Sequence, residues 1–293
     1  MAQKCGRVCI IGQPNAGKST LTNAMVGAKV SIVSHKVQTT RVRTLGIAIS
    51  GDTQFVLLDT PGIFDAKKTL ENALVRGAWN SIQDADAIIV LVDASYPDLT
   101  PTINILEKLQ AKPPVFLVLN KADKVSPQVL ETLSHTFKQY DHIQGVLSIS
   151  ALEQTGIDKL IQALDEKMPF DAWHYPEDIL TNQPENLWAA EITREQLYLQ
   201  LHDELPYETY VTPEGFEYFQ DGSIKISQAI VVSRSSQKGI ILGAKGSRIK
   251  AIGQKARLEL SKEMGQTVHL KLFVKVQRDW MEQNSTRKEL GLE

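Results

Sequence analysis

Apolar residues in the first 170 positions fall into short runs separated by polar clusters. Residues 8–11 (Val-Cys-Ile-Ile), 55–58, 87–92 and 115–119 are continuous apolar runs, as expected for strands buried on both faces, and 145–149 reads as a further strand. Between them the spacing turns helical. Leu21, Ala24 and Met25 precede a stop at Gly27, and helices are predicted over 70–82, 103–109 (after Pro101), 127–140 and 157–167. Residues 44–49 read as a strand, joined to 55–58 by a Gly51-Asp52 hairpin turn. Alternating strands and helices predict an α/β domain with a mostly parallel sheet covered on both faces. Ligands of such sheets bind at the carboxyl ends of the strands.

From residue 168 the pattern changes. Pro169, Pro176 and Pro184 interrupt a polar stretch that cannot continue as helix. Beyond it a helix is predicted over 189–205, extended segments over 208–211 and 217–219, and a strand over 224–232. A loop over 233–238, a long helix ending near 264 and a strand over 267–276 follow. The expected organisation is a first domain over 1–168, a connector over 169–187, a smaller α+β domain over 188–280 and a tail over 281–293.

With 42% apolar and 23% charged residues, a packed core is expected. A formal net charge of −2 announces no polyanion partner, although a local patch still could. Cys5 and Cys9 are the only cysteines, and Cys9 lies in an apolar strand, so a reduced cytosolic protein is expected. No secretory leader, membrane span or internal repeat is apparent.

The polar clusters at the strand ends carry the chemistry. Gly12-Gln13-Pro14-Asn15-Ala16-Gly17-Lys18-Ser19 fits the phosphate-cradling pattern between a strand and a helix. Gly12 and Gly17 let successive N–H groups turn inward, with Ala16 and Thr20 completing the loop and the helix start. Lys18 supplies charge for the outer phosphates and Ser19 a hydroxyl for Mg²⁺. At the end of 55–58, Asp59 can hold the metal through water, and the Gly62 N–H can meet a terminal phosphate oxygen. After 115–119 comes Asn120-Lys121-Ala122-Asp123. The Asp123 carboxylate can accept two hydrogen bonds from guanine's ring N–H and amine, each worth about 1.5–3 kcal/mol; adenine offers no such pair. Asp123 therefore disfavours an ATPase or kinase. Ser150-Ala151 offers a backbone N–H for guanine's carbonyl.

These four boxes, in order, resemble those of the translation-factor-related P-loop GTPases over roughly residues 5–168. The resemblance implies that Thr40, with Thr39 as the fallback, meets Mg²⁺ when the third phosphate is present. Lys18, Thr40 and Gly62 are then the catalytic set, and Ser19, Thr40 and Asp59 the metal set. Residues 34–43 and 62–69 are expected to switch. Asn15 resembles the asparagine that helps some relatives hold K⁺. Ile63 stands where small signalling GTPases carry a water-orienting glutamine, so unassisted hydrolysis should be slow, about 10⁻⁴–10⁻² s⁻¹. A scaffold that binds nucleotide with little turnover is the alternative reading.

In the second domain, Gly243-Ala244-Lys245-Gly246 fits the Gly-X-X-Gly clamp of a KH domain, which grips about four nucleotides of single-stranded nucleic acid. Residues 224–278 hold twelve Lys and Arg against Glu259 and Glu263, a formal +10, whereas 186–223 holds Arg194 against eight acids. Arg248, Lys255 and Lys262 recur every seven residues, and Ile249, Ile252, Ala256 and Leu260 form the apolar stripe. Arg248, Lys250 and Lys255 join the turn as the expected RNA contacts. A P-loop GTPase followed by a type II KH domain resembles the Era family of bacterial ribosome-assembly GTPases. Gln38-Thr39-Thr40-Arg41, Phe273-Val274-Lys275-Val276 and Trp280 strengthen the likeness. It implies GTP and GDP with Mg²⁺, a small-subunit ribosomal RNA partner bound near its 3′ end, and action on the small ribosomal subunit. It also implies a cytoplasmic monomer with peripheral association at the inner face of the membrane.

Overall fold

The computed structural model describes residues 2–36, 39–40, 44–63, 69–109 and 113–280, with the side chains of 69–74 excepted. Parts of both expected switch stretches (37–38, 41–43 and 64–68), and the tail 281–293, lie outside the described residues, as do Gln38 and Arg41. The chain divides after Asn182 into two compact units.

In the first unit, strands β1 (Lys4–Gly12), β2 (Thr44–Ser50), β3 (Thr53–Asp59), β4 (Ala87–Asp93), β5 (Val115–Asn120) and β6 (Ile143–Ser148) form one sheet in the order β2-β3-β1-β4-β5-β6. Only β2 runs antiparallel, as the outer arm of a hairpin with β3. The continuous apolar runs explain the parallel strands, because alternate residues enter two different cores. Val8 and Ile10 face one core with Leu21, Leu160 and Leu164, from helices α1 (Lys18–Val26) and α5 (Ile157–Asp165). Cys9 and Ile11 face the other with Ile105, Leu106 and Phe137, from α3 (Thr100–Lys108) and α4 (Pro127–Lys138). Helix α2 spans Thr69–Ser81. Cys5 and Cys9 are buried free thiols. Helix α3 begins three residues before the predicted start because Pro101 takes a first-turn position, where no N–H is needed.

The second unit reads α6 (Glu185–Gln200), β7 (Thr209–Tyr218), β8 (Ile224–Val232), α7 (Ser235–Leu242), α8 (Ser247–Met264) and β9 (Val268–Val276). Its sheet order is β7-β8-β9, with β7 antiparallel and β9 parallel to β8. Three expectations need correction here. Helix α6 occupies 185–200 rather than 189–205, since Pro184 serves as its N-cap and Leu201 turns to extended backbone. The two extended pieces around Pro213 and Gly215 are one strand, whose register shift at that point accommodates the proline. The loop expected over 233–238 is mostly helix α7. Gln237 Oε1 accepts from the Arg234 N–H at 2.8 Å and closes the helix start. Arg194, counted above in the charge balance of 186–223, is buried and paired with Glu191. Trp280 is fully buried against Tyr210 and Val231. Among the described residues no helix is long and apolar enough to cross a membrane.

Candidate nucleotide and nucleic-acid sites

The first site is a cleft of about 950 Å³ at the carboxyl ends of the strands, lined by Asn15, Gly17, Lys18, Ser19, Thr20, Thr40, Gly62, Lys121, Asp123 and Ser150 among others. Gly12, Asn15 and Gly17 take positive φ, which curls the loop. At Gly12 a Cβ would stand 2.3 Å from the Leu91 carbonyl, so the close approach of β4 also requires glycine there. Lys18 is buried, its Nζ donating to the carbonyls of Gly12 (3.2 Å) and Gln13 (2.8 Å). Burial lowers its pKa to about 8 despite the pull of Asp59. A bound phosphate would return the lost stabilisation of the charge.

Three of the predicted residues converge beside it. Ser19 Oγ donates to Asp59 Oδ2 at 2.8 Å and lies 2.9 Å from Thr40 Oγ1. Thr39 instead bonds the Lys36 carbonyl at 2.7 Å, so Thr40 and not Thr39 reaches the loop. Burial raises the pKa of Asp59, against its Ser19 bond and the charge of Lys18. Asp59 Oδ1 is buried without a hydrogen-bond partner, and the nearby Ser31 hydroxyl lies outside bonding geometry. A buried carboxylate oxygen left open next to two hydroxyls fits a hydrated Mg²⁺. Among the described residues no cluster of three His, Cys, Asp or Glu side chains could hold a metal without such help.

Gly62 is needed for contact, because a Cβ there would meet the Pro14 backbone at 2.8–2.9 Å. The next N–H, of Ile63, donates to the Gly12 carbonyl at 3.0 Å. The Ile63 side chain packs on the apolar core and lines the cleft.

The base end shows what the sequence missed. Asn120 is buried with both ends of its amide used. Nδ2 donates to the Ala16 carbonyl at 2.8 Å, and Oδ1 accepts from the Ala151 N–H at 3.0 Å. Asn120 thus ties the phosphate loop to the 150–151 loop, and the base-reading carboxylate is left to Asp123, exposed in the cleft. The N–H groups of Ser150 and Ala151, from which one is expected at the guanine carbonyl, are both engaged, that of Ser150 with the Thr155 carbonyl and that of Ala151 with Asn120. Lys121 takes positive φ and bonds Asp93 at 2.5 Å. No sequence signal separates a clamp from a contact here, since both need the same polar residues at a strand end.

The second site is the turn between α7 and α8. Gly243, Lys245 and Gly246 all take positive φ, and a Cβ on Gly243 would lie 2.8 Å from Arg248 Cβ. Arg248 Nη1 donates to the Ile240 carbonyl at 2.9 Å, bracing the turn. Ala244 and Lys245 are exposed. Helix α8 buries Ile252, Ala256 and Leu260. At about 100° per residue this stripe separates Arg248 and Lys255 on one flank from Lys250 on the other. The expected contacts therefore do not share one surface, and Lys250 stands apart.

Two family models match the chain: the family described as 50S ribosome-binding GTPase over residues 7–121, and the KH domain over residues 204–281. GTPase Era of Brucella suis biovar 1 (strain 1330) is 48% identical over 99% of this chain and 94% of its own length. The chain belongs to the Era family of GTPases. Era of Erythrobacter litoralis (strain HTCC2594) is 46% identical, covering 99% of this chain and 97% of its own. A single-substitution variant of Aquifex aeolicus Era bound to GDP and AlF4⁻ superposes with a TM-score of 0.92 at 36% identity, over 99% of both chains. An Era complex with MgGDPNP and nucleotides 1506–1542 of 16S ribosomal RNA gives 0.91 at the same identity and coverage. The fold is thus a P-loop GTPase domain followed by a KH domain, and as an Era-family member the chain is a GTPase.

Proposed function

We propose that this Era-family chain uses the nucleotide cleft to control a KH-type grip on single-stranded RNA near the 3′ end of the small-subunit ribosomal RNA, during small-subunit assembly. The contact of Thr40 with Ser19 carries the reading. Thr40 Oγ1 lies 2.9 Å from the hydroxyl of Ser19, the residue that ends the phosphate-loop motif, so its seat is sensitive to what the loop holds. The Era complex with a triphosphate analogue and 16S RNA supports the triphosphate form as the RNA-binding one.

Each residue has a role in that scheme. Lys18 and the loop N–H groups hold the phosphates, and the Gly62 N–H faces the terminal one. Mg²⁺ at the Ser19 and Thr40 hydroxyls, backed by Asp59, would neutralise phosphate charge. Asp123 selects guanine. Ile63 presents hydrocarbon and cannot orient water through its side chain, so turnover stays slow without an activating contact. Asn15 donates through Nδ2 to the His35 carbonyl at 2.8 Å, leaving its Oδ1 able to help hold K⁺. Equal turnover in K⁺ and Na⁺ buffers would remove that part of the proposal. Gly243–Gly246, with Arg248 and Lys255, grips the RNA backbone.

The test is titration of an oligonucleotide spanning the 3′ end of the small-subunit RNA, in GDP and in a non-hydrolysable GTP analogue. We expect at least about tenfold tighter binding with the analogue, and affinity that falls linearly in log salt, with a slope of about −0.7 per phosphate contacted. Equal affinity in both nucleotides overturns the coupling. A flat salt response overturns the basic grip.

A further inference from the structure

Residues 169–182 are not a free tether. They belong to the first unit and are stitched to its β1–β3–β2 side. The Cys5 N–H donates to the Pro169 carbonyl at 3.2 Å, and Lys4 and Phe170 form an isolated antiparallel bridge. Trp173 Nε1 donates to the Asp52 carbonyl at 3.1 Å. Gln54, fully buried, pairs with Tyr175 as a neighbouring strand would. Its Nε2 donates to the Tyr175 carbonyl at 2.8 Å, and its Oε1 accepts from the N–H groups of Tyr175 (3.1 Å) and His174 (3.0 Å). Further on, the Ile47 N–H donates to the Leu180 carbonyl at 2.8 Å, and Gly46 and Thr181 form a second antiparallel bridge.

The two halves of this strap differ in how they are held. Trp173 and Tyr175 pack on an apolar core, so the first half is anchored by burial as well as by Gln54. The second half exposes Ile179 and Leu180 and lies on β2 through the backbone pairing at Gly46 and Ile47 and a long hydrogen bond, 3.4 Å, from the Leu45 N–H to Asn182 Oδ1. Segments with few buried apolar contacts open at low cost, and Pro176 marks the change. Its seat, β2, is an edge strand whose outward backbone groups need a partner. β2 begins at Thr44, four residues after Thr40, a span of at most about 14 Å. Movement of Thr40 away from Ser19 therefore bears directly on the start of the strand that the strap covers.

We propose that residues 179–182 are the read-out of the nucleotide site. They seat on β2 when Thr40 is drawn to the phosphate loop and lift from it when Thr40 is released. The chain leading into the second unit then differs between the two nucleotide states, which supplies the two-state element that coupling requires. This rests on the reading that nucleotide state sets RNA affinity.

Two measurements test it. The first is amide exchange of the full chain without RNA, in GDP and in a non-hydrolysable GTP analogue. The Ile47 amide should exchange at least about tenfold more slowly with the analogue, while the Tyr175 amide, in the anchored half, should change less than about twofold. Equal exchange at Ile47 overturns the proposal. The second inserts Gly-Ser-Gly-Ser between Asn182 and Gln183, leaving the strap and both units intact. The analogue-to-GDP ratio of RNA affinities should fall to within about twofold of unity, with nucleotide affinity unchanged. An unchanged ratio overturns the proposal. If the parent chain itself shows no ratio, the function proposed above fails, and the exchange measurement still judges the strap.

Discussion

Replacing Asn120 with alanine removes two hydrogen bonds at once. The Ala16 carbonyl and the Ala151 N–H, both in buried residues, lose their partners. A stranded buried group costs about 1–3 kcal/mol, so two could cost about 2–6 kcal/mol. A water entering the space of the lost amide would satisfy one of them and bring the cost to about 1–3 kcal/mol. Both groups lie in loops that a nucleotide must find in place, so the loss should appear in affinity. At 1.4 kcal/mol per tenfold, that is about 5- to 140-fold. The assay is titration with fluorescent GDP and a fluorescent GTP analogue, beside a thermal melt without nucleotide. Both nucleotides should weaken together, because the clamp touches neither the terminal phosphate nor the metal residues. The Gly17→Ala substitution supplies a cycle. A Cβ at Gly17 would meet Asn120 Nδ2 at 2.3 Å, so Gly17→Ala should cost less affinity in the Asn120→Ala background than alone, by an interaction of about 0.5–3 kcal/mol. A folded Asn120→Ala protein that binds GDP within about threefold of the parent would refute the clamp.

Asp123→Asn should shift preference from guanine toward xanthine nucleotides, measured by competition, because an acceptor becomes in part a donor; an unchanged guanine preference contradicts the assignment. Gly62→Ala should weaken the GTP analogue more than GDP by about tenfold or more, since a Cβ 2.8 Å from the Pro14 backbone displaces the chain that faces the terminal phosphate; equal loss for both would place Gly62 elsewhere. Nucleotide affinity should fall as pH rises above about 8, where the empty site's Lys18 loses its proton, by at most tenfold per unit, and binding there should take up a proton detectable by calorimetry in buffers of different ionisation enthalpy. Without nucleotide the same residue acts oppositely on stability. Its folded pKa lies below the ordinary 10.5, so the penalty of burying the charge is full below about 8 and relaxes between there and 10.5; Lys18→Met should therefore steepen no part of the stability–pH curve and should flatten that window.

The sequence by itself determined the α/β alternation, the four polar boxes at strand ends and the split into two domains. It could do so because burial on both faces of a parallel sheet leaves unmistakable apolar runs, and because phosphate and guanine chemistry admits few residue types. The strand 224–232 was legible to the residue, since strong β-formers between turns have little competition. Tertiary structure alone decided what each polar residue faces. Asn120 and Asp123 stand three positions apart in one box, yet the first is a buried clamp and the second an open carboxylate. Thr39 and Thr40 are neighbours of the same type, and only the path of the chain sends Thr40 to Ser19. In sequence the polar, proline-broken stretch reads only as an ordered or semi-stiff connector; what orders it is backbone pairing with a distant edge strand, the side chain of Gln54 and the packing of Trp173 and Tyr175. Pairing between segments more than a hundred residues apart leaves no periodicity in either of them, so only the fold could show it.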